Sequence, residues 1–221
     1  MPPFRTTTVW GVVVPVKRLA VAKSRLSAYG DVVRAELALA FAADVVTACL
    51  DCEVVGRVLV VTDDPLATRT LRRLGADVAT DHPDAGLNPA LSHGAELVRA
   101  ALVRDGLRTV TATPGVVTVS SDLPSLRPAD LAAALRAVPT GARAFVTDAD
   151  ARGTTLLAAS AGTILAPQYG PGSRLLHLAS GAVELAGTAA LRRDVDTPDD
   201  LAEALRLGVG GHTTAVLARR G

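Results

Sequence analysis

The sequence predicts an α/β fold: a mostly parallel central sheet with helices on both faces, in a single domain spanning residues 1–221. Three observations carry this. Short Val-rich runs alternate with longer stretches of helical periodicity, the pattern of β–α–β units. The runs are apolar almost throughout, as expected of strands covered on both sides. No repeat, linker or low-complexity tract interrupts the 221 residues, a length that suits one large domain with a substantial core.

The elements follow in order. Val9–Val16 reads as a first strand, and "DVVRAELALAFAADVVTACL" (Asp31–Leu50) as a helix of about five turns. "GRVLVVTDD" is a short buried strand ending in acids. A helix from Pro65 to Leu74 follows, and Gly75 stops it. "ADVAT" is a brief strand. "LNPALSHGAELVRAAL" is a helix expected to start with Asn88 as N-cap and Pro89 as first residue. "GVVTVSSDLP" and "RPADLAAALRAV" make the next strand and helix. "RAFVTDADARGTTLLAAS" reads as two strands joined by a polar turn, and "YGPGSRLLHLAS" as a turn entering a short helix. "LRRDVDTPDDLAEALRLG" reads as a strand followed by a helix. In that last segment Thr197, Pro198, Asp199 and Asp200 have the order of a helix start.

Composition narrows the function. Hydrophobic residues make up 49% of the chain and aromatics 3%, so the core is built from Ala, Val and Leu. A formal charge of +1 lacks the basic excess of a nucleic-acid binder. The N-terminal "MPPFRTTTVWG" has no signal-like apolar core, and no apolar run is long enough to span a bilayer, so a cytoplasmic protein is expected. Cys49 and Cys52 close a helical pattern rather than open one, which fits two reduced thiols better than a redox pair or a zinc site.

Ligands of open α/β sheets bind beyond the carboxyl ends of the strands, so those positions are where chemistry is sought. After the first strand come Lys17, Arg18, Lys23 and Arg25, spaced by Leu19, Ala20, Ala22 and Leu26. Cations fixed at that edge suit a polyphosphate. The loop has neither the Walker pattern nor GxGxxG. Asp122, in "SSDLP", ends a buried strand at the same edge and is a candidate Mg²⁺ ligand, since that ion takes one or two carboxylates plus substrate phosphates. Asp194 and Asp196 are two apart in extended chain and so point to one side. Either offers a second carboxylate to meet Asp122. Asn88, at a helix start, is placed to contact ribose or base. "YGPGS" sets Ser173 at a helix start whose N–H groups suit an anion, and His177, one turn on, reads equally as core or as site.

"PVKRLAVAKSRL", "LNPAL", "SDLP", "GTT", "YGPGS" and "DVDTPDDL" follow in that order across nearly the whole chain. Together they resemble the guanylyltransferases of coenzyme F-420 biosynthesis, which act on phosphoenolpyruvate or 2-phospho-L-lactate. The resemblance implies a Rossmann-like nucleotidyltransferase fold and transfer of GMP from GTP to a three-carbon phosphorylated acid. It implies Mg²⁺ held by Asp122 and Asp194, with Asp196 as a further candidate. Lys17, Lys23 and Arg25 would lie along the GTP phosphates, with Lys17, Lys23 and Asp122 serving catalysis. Thr155, Gly170 and Ser173 would bind the acid. Ser121 stands where the family often has Gly, and "ARGTTLL" is shorter than its usual Gly-Thr-x-Thr, which leaves two registers for Thr154 and Thr155. A labile product further implies handover to the next transferase of the pathway. A nucleotide-binding module without turnover is the alternative of a different class.

Overall fold

A computed structural model describes residues 9–20, 22–23, 26, 29–106 and 114–219. The strands are β1 (Trp10–Pro15), β2 (Val55–Val61), β3 (Asp77–Ala79), β4 (Gly115–Val119), β5 (Arg143–Thr147), β6 (Thr154–Ala159) and β7 (Val183–Glu184). They form one sheet in the order β3-β2-β1-β4-β6-β5-β7. Every pairing is parallel except those of β6, which runs antiparallel between β4 and β5. The mostly parallel α/β expectation therefore holds.

The helices are α1 (Asp31–Leu50), α2 (Pro65–Leu74), α3 (Leu87–Arg104), α4 (Pro128–Arg136), α5 (Ser173–Ala179), α6 (Ala189–Arg192), α7 (Pro198–Leu207) and α8 (Gly211–Ala218). One face of the sheet packs under α1, α2, α4 and α6, in a core of Val12, Val14, Val60, Val117, Leu71, Leu131 and Leu135. The other face packs under α3 and the 165–182 segment, around Val13, Val61, Leu91, Val98, Phe145 and Leu157. Here α3 lies close against the strands. A Cβ added to Gly94 would come within 2.9 Å of Val13, so the glycine is required by proximity. A third cluster joins α1 to α7 and α8 through Phe41, Val195, Leu201 and Val216.

Two local expectations are corrected and one helix is new. α3 begins at Leu87 with Gly86 as N-cap, so Asn88 is not the cap. Leu191 and Arg192 of "LRR" end a short helix rather than form a strand, because the Thr188 hydroxyl accepts from the N–H of Leu191 and starts α6. α8 was not foreseen at all. Asp64 caps α2 through the N–H groups of Leu66 and Ala67, and Thr197 with Asp200 forms the capping box of α7.

Candidate active site

β1, β2, β4 and β5 all end at one edge, and the antiparallel β6 begins there. β1 lies between β2 and β4, so the chain leaves it to either side, the switch geometry at which such sheets bind ligands.

The loop after β1 is anchored from beneath. Leu19 and Leu26 are buried, while Lys17 and Arg18 stand exposed at the rim. Arg34 of α1, only 6% exposed, donates to the carbonyls of Ala20 (2.8 Å) and Ala22. From the other side Asp64 Oδ2 accepts the N–H of Leu19 at 3.0 Å, while its Oδ1 caps α2. Lys23 has a left-handed backbone, φ 54°, and its ammonium enters the edge. It lies 2.5 Å from Asp122 Oδ2 and 2.7 Å from Asp196 Oδ1. Burial alone would lower the lysine's pKa, but these two carboxylates overcome it and hold the value above the ordinary one. Lys17, Lys23, Ser120, Asp122 and Asp196 line a cleft of ≈ 260 Å³. Lys17 also lines an adjoining pocket with Arg18, Asp63, Asp81 and Asp84. Arg25 lies outside the described residues.

The main chain brings the carboxylates together. The N–H of Val195 donates to the carbonyl of Asp122 at 2.9 Å, which ties the "SDLP" turn to the "DVD" segment. Val195 is wholly buried between Asp194 and Asp196. Asp196 lines the cleft and bonds Lys23, while Asp194 lies near enough to Asp122 and Asp196 to feel their charge. The Asp194 carboxyl is pushed up to about 7, first by burial and then by Asp122, Asp196 and Asp148. Among the described residues no three His, Cys, Asp or Glu side chains form a ready-made metal cage. The Asp122–Asp194 pair nevertheless fits a hard divalent cation. Asp122 Oδ1 is buried without a hydrogen-bond partner, and burial, followed by the acidic neighbours, opposes ionisation of Asp194. A cation there would relieve both, completing its shell with phosphate and water oxygens.

The β5–β6 pair carries a β-bulge at this edge. Val146 pairs with Leu156 and Thr147 with Thr154, so Thr155 is the extra residue. Its hydroxyl turns to the Val146 carbonyl at 3.4 Å, and its own carbonyl accepts the N–H of Ser120. Ser173 meets Thr154 instead, with its hydroxyl 3.2 Å from Thr154 Oγ1. Gly170 (φ 141°) and Gly172 (φ 71°) shape the turn into α5. The N–H groups expected to face an anion are engaged within the chain: Ser173 donates to Gly170 O and Arg174 to Arg152 O. Asn88 is likewise engaged, its amide pairing both ways with the backbone of Tyr169 (3.0 and 2.7 Å). Asp148, which the strand-end reading passed over, accepts the N–H groups of Arg152 and Gly153 and shapes the β5–β6 turn.

A separate cavity of ≈ 590 Å³ lies between α1, α4 and α8 and is lined by none of these side chains. Cys49 and Cys52 are both free thiols.

The family profile described as "Guanylyl transferase CofC like" matches residues 10–220. A phosphoenolpyruvate guanylyltransferase of Thermomonospora curvata is 53% identical over 212 residues, covering 95% of this chain and 89% of the relative. One from Streptomyces coelicolor is 52% identical, covering 95% and 96%. Among solved structures, a nucleotidyl transferase from Methanothermobacter superposes with TM-score 0.56 at 17% identity, over 90% of this chain and 98% of its own. CMP:2-keto-3-deoxy-manno-octonic acid synthetase with CTP gives TM-score 0.55 at 16%, over 90% and 98%. These structural likenesses show a nucleotidyltransferase fold. With a match running from the first strand to the last helix, this chain belongs to the CofC-like guanylyl transferase family.

Proposed function

We propose that this protein transfers GMP from GTP to phosphoenolpyruvate, releasing pyrophosphate, as a step of coenzyme F-420 biosynthesis. The single observation that carries the chemistry is the Lys23 ammonium between Asp122 and Asp196 at the carboxyl edge of β1 and β4. The choice of acid follows the names of relatives sharing half of all residues.

An oxygen of the acceptor phosphate attacks the α-phosphorus of GTP. A new anhydride forms, the α–β anhydride breaks, and pyrophosphate leaves with the bonding electrons. The nucleophile is already anionic near neutral pH, since a phosphomonoester has its second pKa near about 6. No serine or cysteine needs activation. The protein's task is to hold two polyanions and offset the charge that develops in the transition state. Lys17 at the rim attracts the phosphates, and Lys23 counters charge at the reacting end. Asp122 and Asp194 are the residues to hold Mg²⁺, which when bound neutralises the α-phosphate and the leaving pyrophosphate. Thr155, Gly170 and Ser173 belong to the acceptor half. Thr154 is added to it, because Ser173 bonds to that hydroxyl.

No helix among the described residues is long and apolar enough to cross a membrane. Reduced thiols at Cys49 and Cys52 suit the cytoplasm. A labile mixed anhydride favours handover to the next transferase.

The test is pyrophosphate release from GTP and Mg²⁺ with phosphoenolpyruvate, 2-phospho-L-lactate or 3-phosphoglycerate, run with the next transferase and its acceptor present. Release with phosphoenolpyruvate, lost in Asp122→Ala, is expected. Preference for 2-phospho-L-lactate would reassign the acid. Silence with all three, while GTP still raises the melting temperature, would leave a binding module without turnover.

A further inference from the structure

The acceptor half contains a histidine with no part in the phosphoryl chemistry. His177 of α5 is wholly buried, its ring set between Phe145 and Tyr169 with centroids 5.6 and 5.4 Å away. Both ring nitrogens are engaged. The N–H of Gln168 donates to Nε2 at 3.0 Å, and Nδ1 lies 2.9 Å from Thr154 Oγ1. A nitrogen that accepts from a peptide N–H carries no proton. The neutral ring therefore holds its hydrogen on Nδ1 and donates it to Thr154. Burial, with Arg143 nearby, lowers the imidazole's pKa to about 4, which keeps the ring neutral.

Ser173 donates to the same oxygen of Thr154. With two donors converging on Oγ1, the hydroxyl hydrogen of Thr154 points away from both. The turn that carries Gly170 thus hangs from one ring at both ends: Gln168 through Nε2, and Ser173 through Thr154 and Nδ1. Asn88 fixes the middle by pairing with the backbone of Tyr169, whose hydroxyl lies 2.7 Å from that of Thr118.

We infer that His177, as its Nδ1–H tautomer, is a positioning residue of the acceptor half-site, fixing the 168–173 turn and aiming the Thr154 hydroxyl at the phosphorylated acid. This deepens the proposed function and rests on its placement of the acid.

Two measurements test it. The first is a long-range ¹H–¹⁵N spectrum of protein labelled with ¹⁵N-histidine, with His177 identified by its loss in His177→Gln. A protonated Nδ1 and bare Nε2, unchanged between about pH 5 and 8, are expected. An Nε2–H tautomer or a charged ring overturns the inference whatever the enzyme turns over. The second is kinetic. Thr154→Val removes the hydroxyl and keeps the shape, whereas Thr154→Ser keeps the hydroxyl. KM for phosphoenolpyruvate should rise about tenfold in Thr154→Val and His177→Gln, the loss of roughly one hydrogen bond. KM for GTP should stay put, and Thr154→Ser, which restores the hydroxyl, should recover most of the loss seen in Thr154→Val. An equal rise for both substrates, or a rise confined to Thr155→Val, overturns the inference. Should the parent turn over none of the acids, the function fails separately. The inference is then read from the amide signals of Gln168, Gly170 and Ser173, which must shift in Thr154→Val for it to stand.

Discussion

Lys23 and Lys17 are both cations of one loop, yet their surroundings give them unequal work. Lys17 is exposed and screened by water, while the Lys23 side chain is 10% exposed and lies between two carboxylates. Charge in such a site counts far more than at a rim. Lys23→Met should therefore lower turnover by about 10²–10³, the range for removing one transition-state donor. Lys17→Met should chiefly raise KM for GTP, and that rise should shrink in high salt. Pyrophosphate release at several salt concentrations separates the two, and equal effects would refute the division of labour. His177 makes a prediction of a different kind. Its folded-state pKa is about 4 against an ordinary 6.5, so between those values the unfolded chain binds a proton that the folded chain refuses. Stability from this group is complete above pH 6.5 and is lost as pH falls toward 4, by up to about 1.4 kcal/mol per pH unit. The melting temperature of His177→Gln should fall less steeply than the parent's across that window. At this scale the sequence reads unevenly. Lys23 and Asp122 are legible because they follow β1 and β4 at the ligand edge, whereas Asp194 and Asp196 reach it from a short helix, through the bond of Val195 to Asp122. Thr154 and Thr155 are not legible, because a one-residue bulge decides which hydroxyl meets Ser173. Asn88 looked like a ligand contact because its partner, Tyr169, lies 81 residues away.

Among the elements, α1 does the most to connect the fold to the site. Its first turn supplies Arg34, which holds two carbonyls of the cationic loop. Its middle supplies Asp44, whose two oxygens accept the N–H groups of His212 (2.9 Å) and Thr213 (3.0 Å) at the start of α8. Asp44 is thus an N-cap delivered from another helix, 168 residues away in the chain. That is why α8 escaped the sequence reading: "GVGGHTTAVLAR" carries no acidic cap of its own, and its glycines look like a loop. α7, with Thr197, Pro198 and Asp200 in place, was plain from the chain alone. Asp44→Ala strands two backbone donors in a buried corner and should cost about 1–3 kcal/mol. For a chain of this size that lowers the melting temperature by about 2–12 °C. Arg34→Lys keeps the charge but loses the fork that grips both carbonyls. It should cut kcat/KM for GTP about tenfold, equivalent to one such hydrogen bond, while leaving KM for the acid alone. A melting temperature lowered by Arg34→Lys without any kinetic change would mean that the loop needs no staple.

Across the whole molecule, the proposed function divides the carboxyl edge of the sheet into two halves, one for each substrate. On the proposed reading the loop after β1 and the ends of β2 and β3 would face the nucleotide, while the β5–β6 turn and the glycine turn before α5 would face the acid. Asp122 and the 194–196 segment stand between them, tied by the Val195–Asp122 hydrogen bond. The β–α alternation made the parallel half legible. The polar turn in "RAFVTDADARGTTLLAAS" likewise announced the antiparallel β5–β6 pair. That β6 inserts between β4 and β5 was not legible, because a strand buried on both faces shows no preference for one neighbour. This arrangement makes a prediction about ligand-linked stability. If Asp122 and Asp194 bind GTP through a divalent cation, GTP with Mg²⁺ stabilises the fold by mass action, by about 2.7 kcal/mol at a hundred times its Kd. For a domain of this size that is a rise of about 5–11 °C in melting temperature. GTP with chelator should give much less, since the carboxylates then repel the phosphates instead of sharing a cation with them. Asp122→Asn should lose most of the Mg²⁺-dependent part and keep the part due to the loop cations. Thr154→Val, on the acid's side, should keep all of it. A GTP shift indifferent to chelator would remove the metal from nucleotide binding, and a shift abolished by Thr154→Val would show that the two halves are not separate.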